Sequence, residues 1–336
     1  MIAEAIAALV DGRSLTRDEA AAAMDDLMSG AATPAQAAAF LVALRMKGET
    51  VEEIAGLAST MRAKAEPVHA TGMVIDTCGT GGDGHGTLNI STAAAFVAAG
   101  AGLKVAKHGN RGMTSKSGSA DVLEALGYRI DLDPAGVARS IEVAGFGFMF
   151  AQKYHPAMKH VAPVRRELAI RTVFNILGPL TNPARPSAQV IGAPNSGVAE
   201  KMAAALRLLG IKRGMVVAGP DGLDEIGLHG PTDAFILTTD GIERRVLEPG
   251  MVGLAAAPLS AVAGGTPEEN AEMIRDIFAG MAGPRRDIVV LNAGAALFVG
   301  GLASTFEEGV ALAGATVRSG RAREALARAI AISQAS

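Results

Sequence analysis

The chain has 336 residues and a formal net charge of −3, and its length predicts more than one domain. A general nucleic-acid binder normally carries a basic surface, so this near-neutral charge without a basic block disfavours that class, and we expect no nucleic-acid partner. The start Met1-Ile2-Ala3-Glu4 lacks the basic region of a secretory signal, and no apolar run reaches the about 18 residues that span a bilayer, so we expect a cytoplasmic protein without a membrane partner.

Residues 1–68 have the pattern of a small all-helical N-terminal domain. Three capping boxes divide them, Thr16-x-x-Glu19, Thr33-Pro34-x-Gln36 and Thr50-x-x-Glu53. Each box places a hydroxyl at the N-cap and a carboxylate or amide three residues later. We therefore predict a helical domain over residues 1–70. Proline, basic and polar residues interrupt the later α/β alternation, and we predict that a segment near 160–185 returns to this domain.

From Gly72 onward, short apolar strands alternate with helices, which is typical of βαβ units and a mostly parallel central sheet. We predict strands at 74–75, 103–106, 128–130, 147–150, 189–191, 214–218 and 287–291, with a hairpin over 232–247 that turns at Asp240-Gly241. Helices are predicted over 93–99, 120–126, 134–143 and 197–209, and another after the capping box at Thr266. The fold class is α/β, with surrounding helices and a large domain over residues 71–336.

A glycine-rich loop follows the first predicted strand, in Asp76-Thr-Cys-Gly-Thr-Gly-Gly-Asp-Gly84. Glycine backbone can adopt positive φ and approach a ligand closely, and its exposed N–H groups can bind an anion. Asn89-Ile-Ser-Thr92 then opens a helix, whose N-terminus adds unpaired N–H donors. The combination predicts a phosphate or pyrophosphate cradle, and we interpret Cys78 beside it as a packed residue.

The residues after the next strand argue against an adenosine-binding Rossmann site. Such a site would place an acidic residue at that strand's end, whereas here the strand runs into Lys107-His-Gly-Asn-Arg111. The stretch Lys107–Ser119 is dense in cations, hydroxyls and glycines, which favours a phosphorylated ligand. A structural glycine turn and a solvated polar loop are the alternatives.

Two carboxylates, Asp224 and Glu225, follow the strand predicted at 214–218. Oxygen ligands of this kind suit Mg²⁺, which keeps waters and substrate phosphates in its coordination shell. An acidic pair in a turn is otherwise a solvated surface feature, but a neighbouring phosphate cradle favours the metal site.

Arginines stand out in the segment that interrupts the α/β alternation, in Pro163-Val-Arg-Arg-Glu167 and Arg171-Thr-x-Phe-Asn175. An arginine here suits either a bidentate clamp on a substrate carboxylate or an interdomain salt bridge. The sequence leaves both interpretations open.

Together these motifs resemble the anthranilate phosphoribosyltransferase family of tryptophan biosynthesis. The resemblance covers about 72–233 through the segments 79–84, 89–92, 107–111, 117–127, 155–159, 171–183 and 221–225, in the family's order. It implies a helical domain plus an α/β domain, usually a homodimer through the helical part. The implied reaction joins anthranilate to phosphoribosyl pyrophosphate and releases pyrophosphate, with Mg²⁺ and two ions per site.

The resemblance also implies site residues. It places phosphoribosyl pyrophosphate on Gly79, Gly82, Asp83, Thr87, Asn89, Ile90, Ser91, Thr92, Lys107, His108, Gly109, Asn110, Arg111, Gly112, Met113, Thr114, Ser115 and Ser119. It places magnesium on Ser91, Asp224 and Glu225, and anthranilate near Gly79, His108, Asn110 and Arg165, with Arg165 taking the carboxylate. It identifies no covalent nucleophile.

Two positions depart from the family pattern. Met113-Thr114 replaces a small residue followed by serine, which keeps a hydroxyl, and Gly227 stands where a hydroxyl residue is common. The second change puts the support of the metal ligands in question. The remaining alternatives are a pyrimidine nucleoside phosphorylase, which shares the fold but does not require the Asp224-Glu225 pair, and a non-catalytic nucleic-acid-binding relative.

Overall fold

The computed structural model describes residues 1–112 and 115–335. The α-helices are α1 (Ile2–Val10), α2 (Arg17–Ser29), α3 (Pro34–Lys47), α4 (Val51–Lys64), α5 (Ile90–Ala101), α6 (Ser119–Leu126), α7 (Pro134–Ala144), α8 (Ala151–Tyr154), α9 (Ala162–Leu168), α10 (Phe174–Leu180), α11 (Ser196–Leu208), α12 (Pro267–Phe278), α13 (Pro284–Val299), α14 (Phe306–Arg318) and α15 (Arg321–Gln334). The strands are β1 (Val74–Gly79), β2 (Lys104–Gly109), β3 (Phe146–Phe150), β4 (Ala188–Gly192), β5 (Arg213–Ala218), β6 (Thr232–Leu237) and β7 (Ile242–Leu247). Short 3₁₀ helices lie at Pro156–His160, Pro220–Gly222, Pro249–Val252 and Leu259–Val262.

The N-terminal helices begin where the sequence predicts. Thr16, Thr33 and Thr50 each accept a backbone N–H three residues on, and the residue at that position bonds back to the cap, so all three capping boxes are confirmed. The box at Thr266 is also confirmed, at the start of α12. Each box satisfies N–H donors that a helix start otherwise leaves unpaired.

The strands form one seven-stranded sheet in the order β3-β2-β1-β4-β5-β6-β7. Strands β1 to β5 run parallel, whereas β6 and β7 are antiparallel to their neighbours. The mostly parallel sheet and the 232–247 hairpin are therefore confirmed. Since the chain moves outward from β1 to β3 and then returns to β4 on the other side of β1, the strand order reverses between β1 and β4.

Two predicted strands are wrong. Residues 287–291 lie in α13, which begins at Pro284 and is buried on nearly every side, and a short apolar run does not distinguish such a helix from a buried strand. Residues 128–130 form no strand, because side-chain hydroxyls accept the backbone N–H groups that would otherwise pair with a neighbouring strand. The Ser333 hydroxyl accepts the Arg129 N–H at 3.0 Å, and the buried Tyr128 hydroxyl accepts the Phe148 N–H at 3.2 Å.

Apolar side chains cover both faces of the sheet. On β5, Met215 and Val217 pack with α5 and α13, while Val216 and Ala218 pack with α11 and the N-terminal helices. The second cluster also takes in Val161, Val164, Leu177 and Leu180, so the 160–185 segment lies against α1 to α4. The chain's division into 1–70 and 71–336 stays a prediction.

In the described part of the chain, no helix combines the length and apolarity needed to cross a membrane.

Candidate active site

The carboxyl ends of β1 and β4 meet where the strand order reverses, the place where ligands of α/β sheets usually bind. The last residues of the two strands, Gly79 and Gly192, are direct register partners. Asp224 and Glu225 follow the neighbouring strand β5, and Lys107 and His108 lie at the end of β2 on the other side. The sheet thus brings both polar loops and the acidic pair to one edge.

The glycine loop after β1 turns sharply and closes on Asp224. Gly81, Gly82 and Gly84 have φ values of 73°, 70° and 80°, which glycine adopts without steric cost. The Gly81 N–H donates to Asp224 Oδ2 at 2.6 Å. Gly79 is required for a different reason, because a Cβ there would lie 2.3 Å from the same oxygen.

Asp224 and Glu225 are held close together in a low-dielectric place. Burial, and next the like charge of Asp83, raise the pKa of Asp224 to about 6. Burial and the charge of Asp224 raise the pKa of Glu225 to about 8. Ionised together, these carboxylates are unfavourable without a cation, so their arrangement favours binding a divalent ion.

The amino end of α5 lies beside this acidic pair. The Ser91 N–H donates to Glu225 Oε1 at 3.1 Å, and the Ser91 hydroxyl accepts from the Lys107 ammonium at 3.2 Å. Lys107 is 1% exposed and also donates to the Thr77 carbonyl. The Ser91 hydroxyl, the Glu225 carboxylate and a buried ammonium therefore lie together, with Asp224 next to Glu225.

These donors fit Mg²⁺. Among the described residues, no group of three or more His, Cys, Asp or Glu side chains is placed to hold a metal. Magnesium does not need such a cage, since it commonly uses one or two carboxylates plus water and substrate phosphate. Ser91, Asp224 and Glu225 match that requirement.

Hydrogen bonds from asparagine side chains connect the Lys107–Ser119 loop to α5. Asn89, at the N-cap of α5, donates to the Ser117 carbonyl at 3.1 Å and accepts from the Ser117 hydroxyl at 3.1 Å. Asn270 of α12 donates to Asn89 Oδ1 at 2.8 Å. The Asn89–Thr92 turn and the Lys107–Ser119 loop are therefore positioned by common contacts.

Residues of α6 hold the described part of the Lys107–Ser119 loop. Asp121 Oδ2 accepts the N–H groups of Gly112 and Gly118, at 2.8 and 2.9 Å. The Ser119 hydroxyl lies 3.3 Å from the Asn110 carbonyl. The Arg111 guanidinium pairs with Asp121 and Glu124 and is exposed, so it is engaged within the protein.

Other predicted donor-site residues have local partners. Asp83 accepts the His85 N–H at 3.1 Å, Thr87 forms an isolated bridge with Ala263, and the Ser115 hydroxyl lies 3.4 Å from the Ser117 carbonyl. Gly82 is exposed, whereas Ile90 and Thr92 are buried. Gly109 has Ser119 Oγ 2.1 Å from the position of a Cβ, which makes it a close-approach glycine. Met113 and Thr114 lie outside the described residues.

His108 lies beside His155, with their ring centroids 5.0 Å apart, and both side chains are buried. Burial, and next the charge of His155, lower the pKa of His108 to about 3, and burial lowers that of His155 to about 4. Both imidazoles are therefore neutral at pH 7. In the described part of the chain, the buried His108 Nε2 has no hydrogen-bond partner.

The two arginines of the interrupting segment have different surroundings. Arg165 is half-buried, its guanidinium lies 5.0 Å from the Phe174 ring centre, and burial lowers its pKa. Arg171 donates to the carbonyls of Gly82 and Gly81, at 2.9 and 3.2 Å. Among the described residues neither forms an ion pair, and no hydrogen bond joins Arg165 to Gly79, His108 or Asn110.

Sequence reasoning missed three buried or loop-bracing side chains, Asn270, Asn292 and Asp121. Asn292 on α13 accepts the Ile226 N–H at 2.9 Å and donates to the Ile226 carbonyl at 3.0 Å, directly after Glu225. The Gly227 N–H donates to the Thr232 hydroxyl at 3.1 Å, so this departure from the family pattern still has a nearby hydroxyl. A lone asparagine in an apolar helix was the available signal for Asn292.

Comparisons with known proteins find relatives over nearly the whole chain. The family described as "Glycosyl transferase family, a/b domain" matches residues 71–323, and "Glycosyl transferase family, helical bundle domain" matches residues 3–65. The anthranilate phosphoribosyltransferase of Chloroflexus aggregans is 56% identical over 335 residues, covering 99% of this chain and 98% of its own.

Solved structures are similar over the whole chain. The anthranilate phosphoribosyltransferase of Thermus thermophilus has a TM-score of 0.94 at 46% identity, covering 98% of this chain and 99% of its own. The Saccharomyces cerevisiae enzyme in complex with PRPP and Mg has a TM-score of 0.90 at 28% identity, covering 100% of this chain and 98% of its own. A further structure of the yeast enzyme contains 4-fluoroanthranilate and has a TM-score of 0.90 at 27% identity, with coverage of 100% and 98%. The chain belongs to the anthranilate phosphoribosyltransferase family.

Proposed function

We propose that this protein transfers the 5-phosphoribosyl group from phosphoribosyl pyrophosphate to the amine of anthranilate, in tryptophan biosynthesis. The observation that carries the proposal is the meeting of the glycine loop, the start of α5 and the Asp224-Glu225 pair at one sheet edge. N–H donors and a buried ammonium suit the donor's phosphates, and the carboxylates suit their magnesium. The names of the relatives support the same activity.

We assign the donor to two loops and a helix start. Its residues are Gly79, Gly82, Asp83, Thr87, Asn89 to Thr92, Lys107 to Ser115, and Ser119. Magnesium is assigned to Ser91, Asp224 and Glu225, with two ions per site. Anthranilate is assigned to Gly79, His108, Asn110 and Arg165. The contacts among Ser91, Lys107 and Glu225 support a common donor and metal site.

The proposed reaction is a substitution at the anomeric carbon of the ribose. Positive charge builds on the sugar as pyrophosphate departs, and bound Mg²⁺ would supply charge stabilisation for that leaving group. Lys107 and the glycine-loop N–H groups stabilise the same developing negative charge. Arg165 and neutral His108 orient the acceptor, whose aromatic amine is uncharged at pH 7 and needs no strong base.

The wider organisation is part of the proposal. We propose a homodimer formed through the helical region, a helical domain of residues 1–70 with the 160–185 segment, and a cytoplasmic location. The packing of Val161, Val164 and Leu177 against the N-terminal helices supports that domain composition.

The test mixes the purified protein with anthranilate, phosphoribosyl pyrophosphate and Mg²⁺ and follows the loss of anthranilate fluorescence. We expect a loss that requires all three additions and disappears in the Glu225→Gln variant. A parallel reaction supplies a pyrimidine nucleoside and inorganic phosphate. Release of the free base there, with stable anthranilate fluorescence, would replace this proposal with the phosphorylase alternative.

A further inference from the structure

Arg171 links the segment that carries Arg165 to the glycine loop. Its guanidinium donates to two consecutive carbonyls, Gly82 O at 2.9 Å and Gly81 O at 3.2 Å. These bonds join residues that are about 90 positions apart in sequence, and Arg171 itself is exposed. A planar guanidinium suits this pairing because it presents several donors in a rigid fork.

The two bonds determine which way the loop's N–H groups face. In a trans peptide the carbonyl and the following N–H point in opposite directions. With both carbonyls turned to Arg171, the N–H groups of Gly82 and Asp83 face away from it. Within the described part of the chain, neither N–H donates to a protein acceptor, so both are available to an anion.

The two preceding peptides are held by other residues. The Gly81 N–H donates to Asp224 Oδ2 at 2.6 Å, and the Thr80 N–H donates to the Gly192 carbonyl at 3.0 Å. Gly81 and Gly82 both have positive φ. Because glycine adopts positive and negative φ about equally readily, these two residues do not by themselves fix the conformation of the loop. Arg171 therefore restrains the part of the loop that Asp224 and Gly192 leave free.

We propose that Arg171 is a positioning residue for the diphosphate of the donor: it holds the Gly81 and Gly82 carbonyls so that the N–H groups of Gly82 and Asp83 face that diphosphate. The inference rests on the proposed function. It gives Arg171 a role in shaping the donor site without contact with substrate. Because Arg165 lies on the same segment, Arg171 also connects the acceptor side of the site to the donor loop.

The experiment measures KM for phosphoribosyl pyrophosphate and for anthranilate in Arg171→Gln, Arg171→Lys and Arg166→Gln. Arg166 is a matched control, because it is an exposed arginine on the same segment whose side chain forms no hydrogen bond or ion pair with the described residues. We expect Arg171→Gln to raise KM for the donor about tenfold, the effect of losing about one hydrogen bond to a charged group. KM for anthranilate at saturating donor should change by less than about twofold, as for a substitution remote from that site.

Arg171→Lys should restore part of the donor affinity, since an ammonium reaches one carbonyl but cannot bond to both. Hydrogen exchange of the 80–86 backbone should accelerate in Arg171→Gln and remain unchanged in Arg166→Gln, with equal thermal melting of all variants. An unchanged donor KM in Arg171→Gln, beside an active wild type, overturns this inference alone. An equal rise of the donor KM in Arg171→Gln and Arg166→Gln also overturns it. An inactive wild type overturns the proposed function instead.

Discussion

Gly192 lies so close to Asp224 that a Cβ on Gly192 would be 1.6 Å from the Asp224 carbonyl oxygen. Gly192 ends β4, and its register partner Gly79 would bring a Cβ to 2.3 Å from Asp224 Oδ2. Both strands therefore end in a residue without a side chain because the Asp224 backbone and carboxylate occupy that space. This close approach places the acidic pair against the glycine loop.

Replacing Gly192 by alanine should displace Asp224. We expect the free energy of unfolding to fall by about 2–4 kcal/mol, since a methyl group has no space there. Mg²⁺ affinity, measured by calorimetry, should fall about tenfold, corresponding to about 1.4 kcal/mol. Gly197→Ala is the matched control, because its Cβ would make only an ordinary contact at 3.6 Å on the exposed side of α11. Wild-type magnesium affinity in Gly192→Ala would contradict this account.

Stability without magnesium should decrease as pH rises. Folding raises the pKa of Glu225 from 4.5 to about 8, through burial and then the charge of Asp224. A raised carboxyl pKa stabilises the fold while the group is protonated; this contribution is complete below about pH 4.5 and is lost as pH rises through about 8. Since Mg²⁺ binds the ionised carboxylates, it should raise Tm more at about pH 8.5 than at about pH 6.

The control for this pH effect is Glu225→Gln, which stays neutral throughout. Its Tm without magnesium should vary less between these two pH values, and added Mg²⁺ should stabilise it little. Differential scanning fluorimetry with and without Mg²⁺ measures both quantities. A magnesium shift that is the same at both pH values in the wild type would contradict the assignment.

Arg165→Ala should mainly affect the acceptor. The half-buried guanidinium stacks on Phe174 and has no carboxylate partner among the described residues. The carboxylate of anthranilate could therefore form a bidentate ion pair with it. We expect KM for anthranilate to rise about tenfold, with a smaller change in KM for phosphoribosyl pyrophosphate. Arg166→Ala, on the same helix, serves as the control. If donor affinity collapsed while anthranilate affinity held, the assignment of Arg165 would be wrong.

Asn292→Leu should weaken the support behind the metal ligands. The substitution leaves the buried N–H and carbonyl of Ile226 unpaired, which we expect to cost about 2–3 kcal/mol of unfolding free energy. Because Ile226 follows Glu225 directly, Mg²⁺ affinity should also fall severalfold. A lower Tm with unchanged Mg²⁺ affinity would show that Asn292 stabilises only the fold.

Short sequence patterns predict much of the architecture. Capping boxes at Thr16, Thr33, Thr50 and Thr266 and the turn at Asp240-Gly241 depend on residues a few positions apart, and the structure confirms each. The two wrong strands have different causes. At 128–130 a distant side chain, the Ser333 hydroxyl, accepts the Arg129 N–H, whereas 287–291 is a short apolar run inside a helix that is buried on nearly every side.

The alternating elements, the glycine loop and the acidic pair can be predicted from the amino-acid sequence, because residue type and short spacing carry that information. The hydrogen bonds of Asp224 with Gly81, of Glu225 with Ser91 and of Arg171 with Gly82 depend instead on the complete fold. Those contacts join positions about 90 to 143 residues apart. Their geometry follows from strand order and close packing at the sheet edge, which no local pattern encodes.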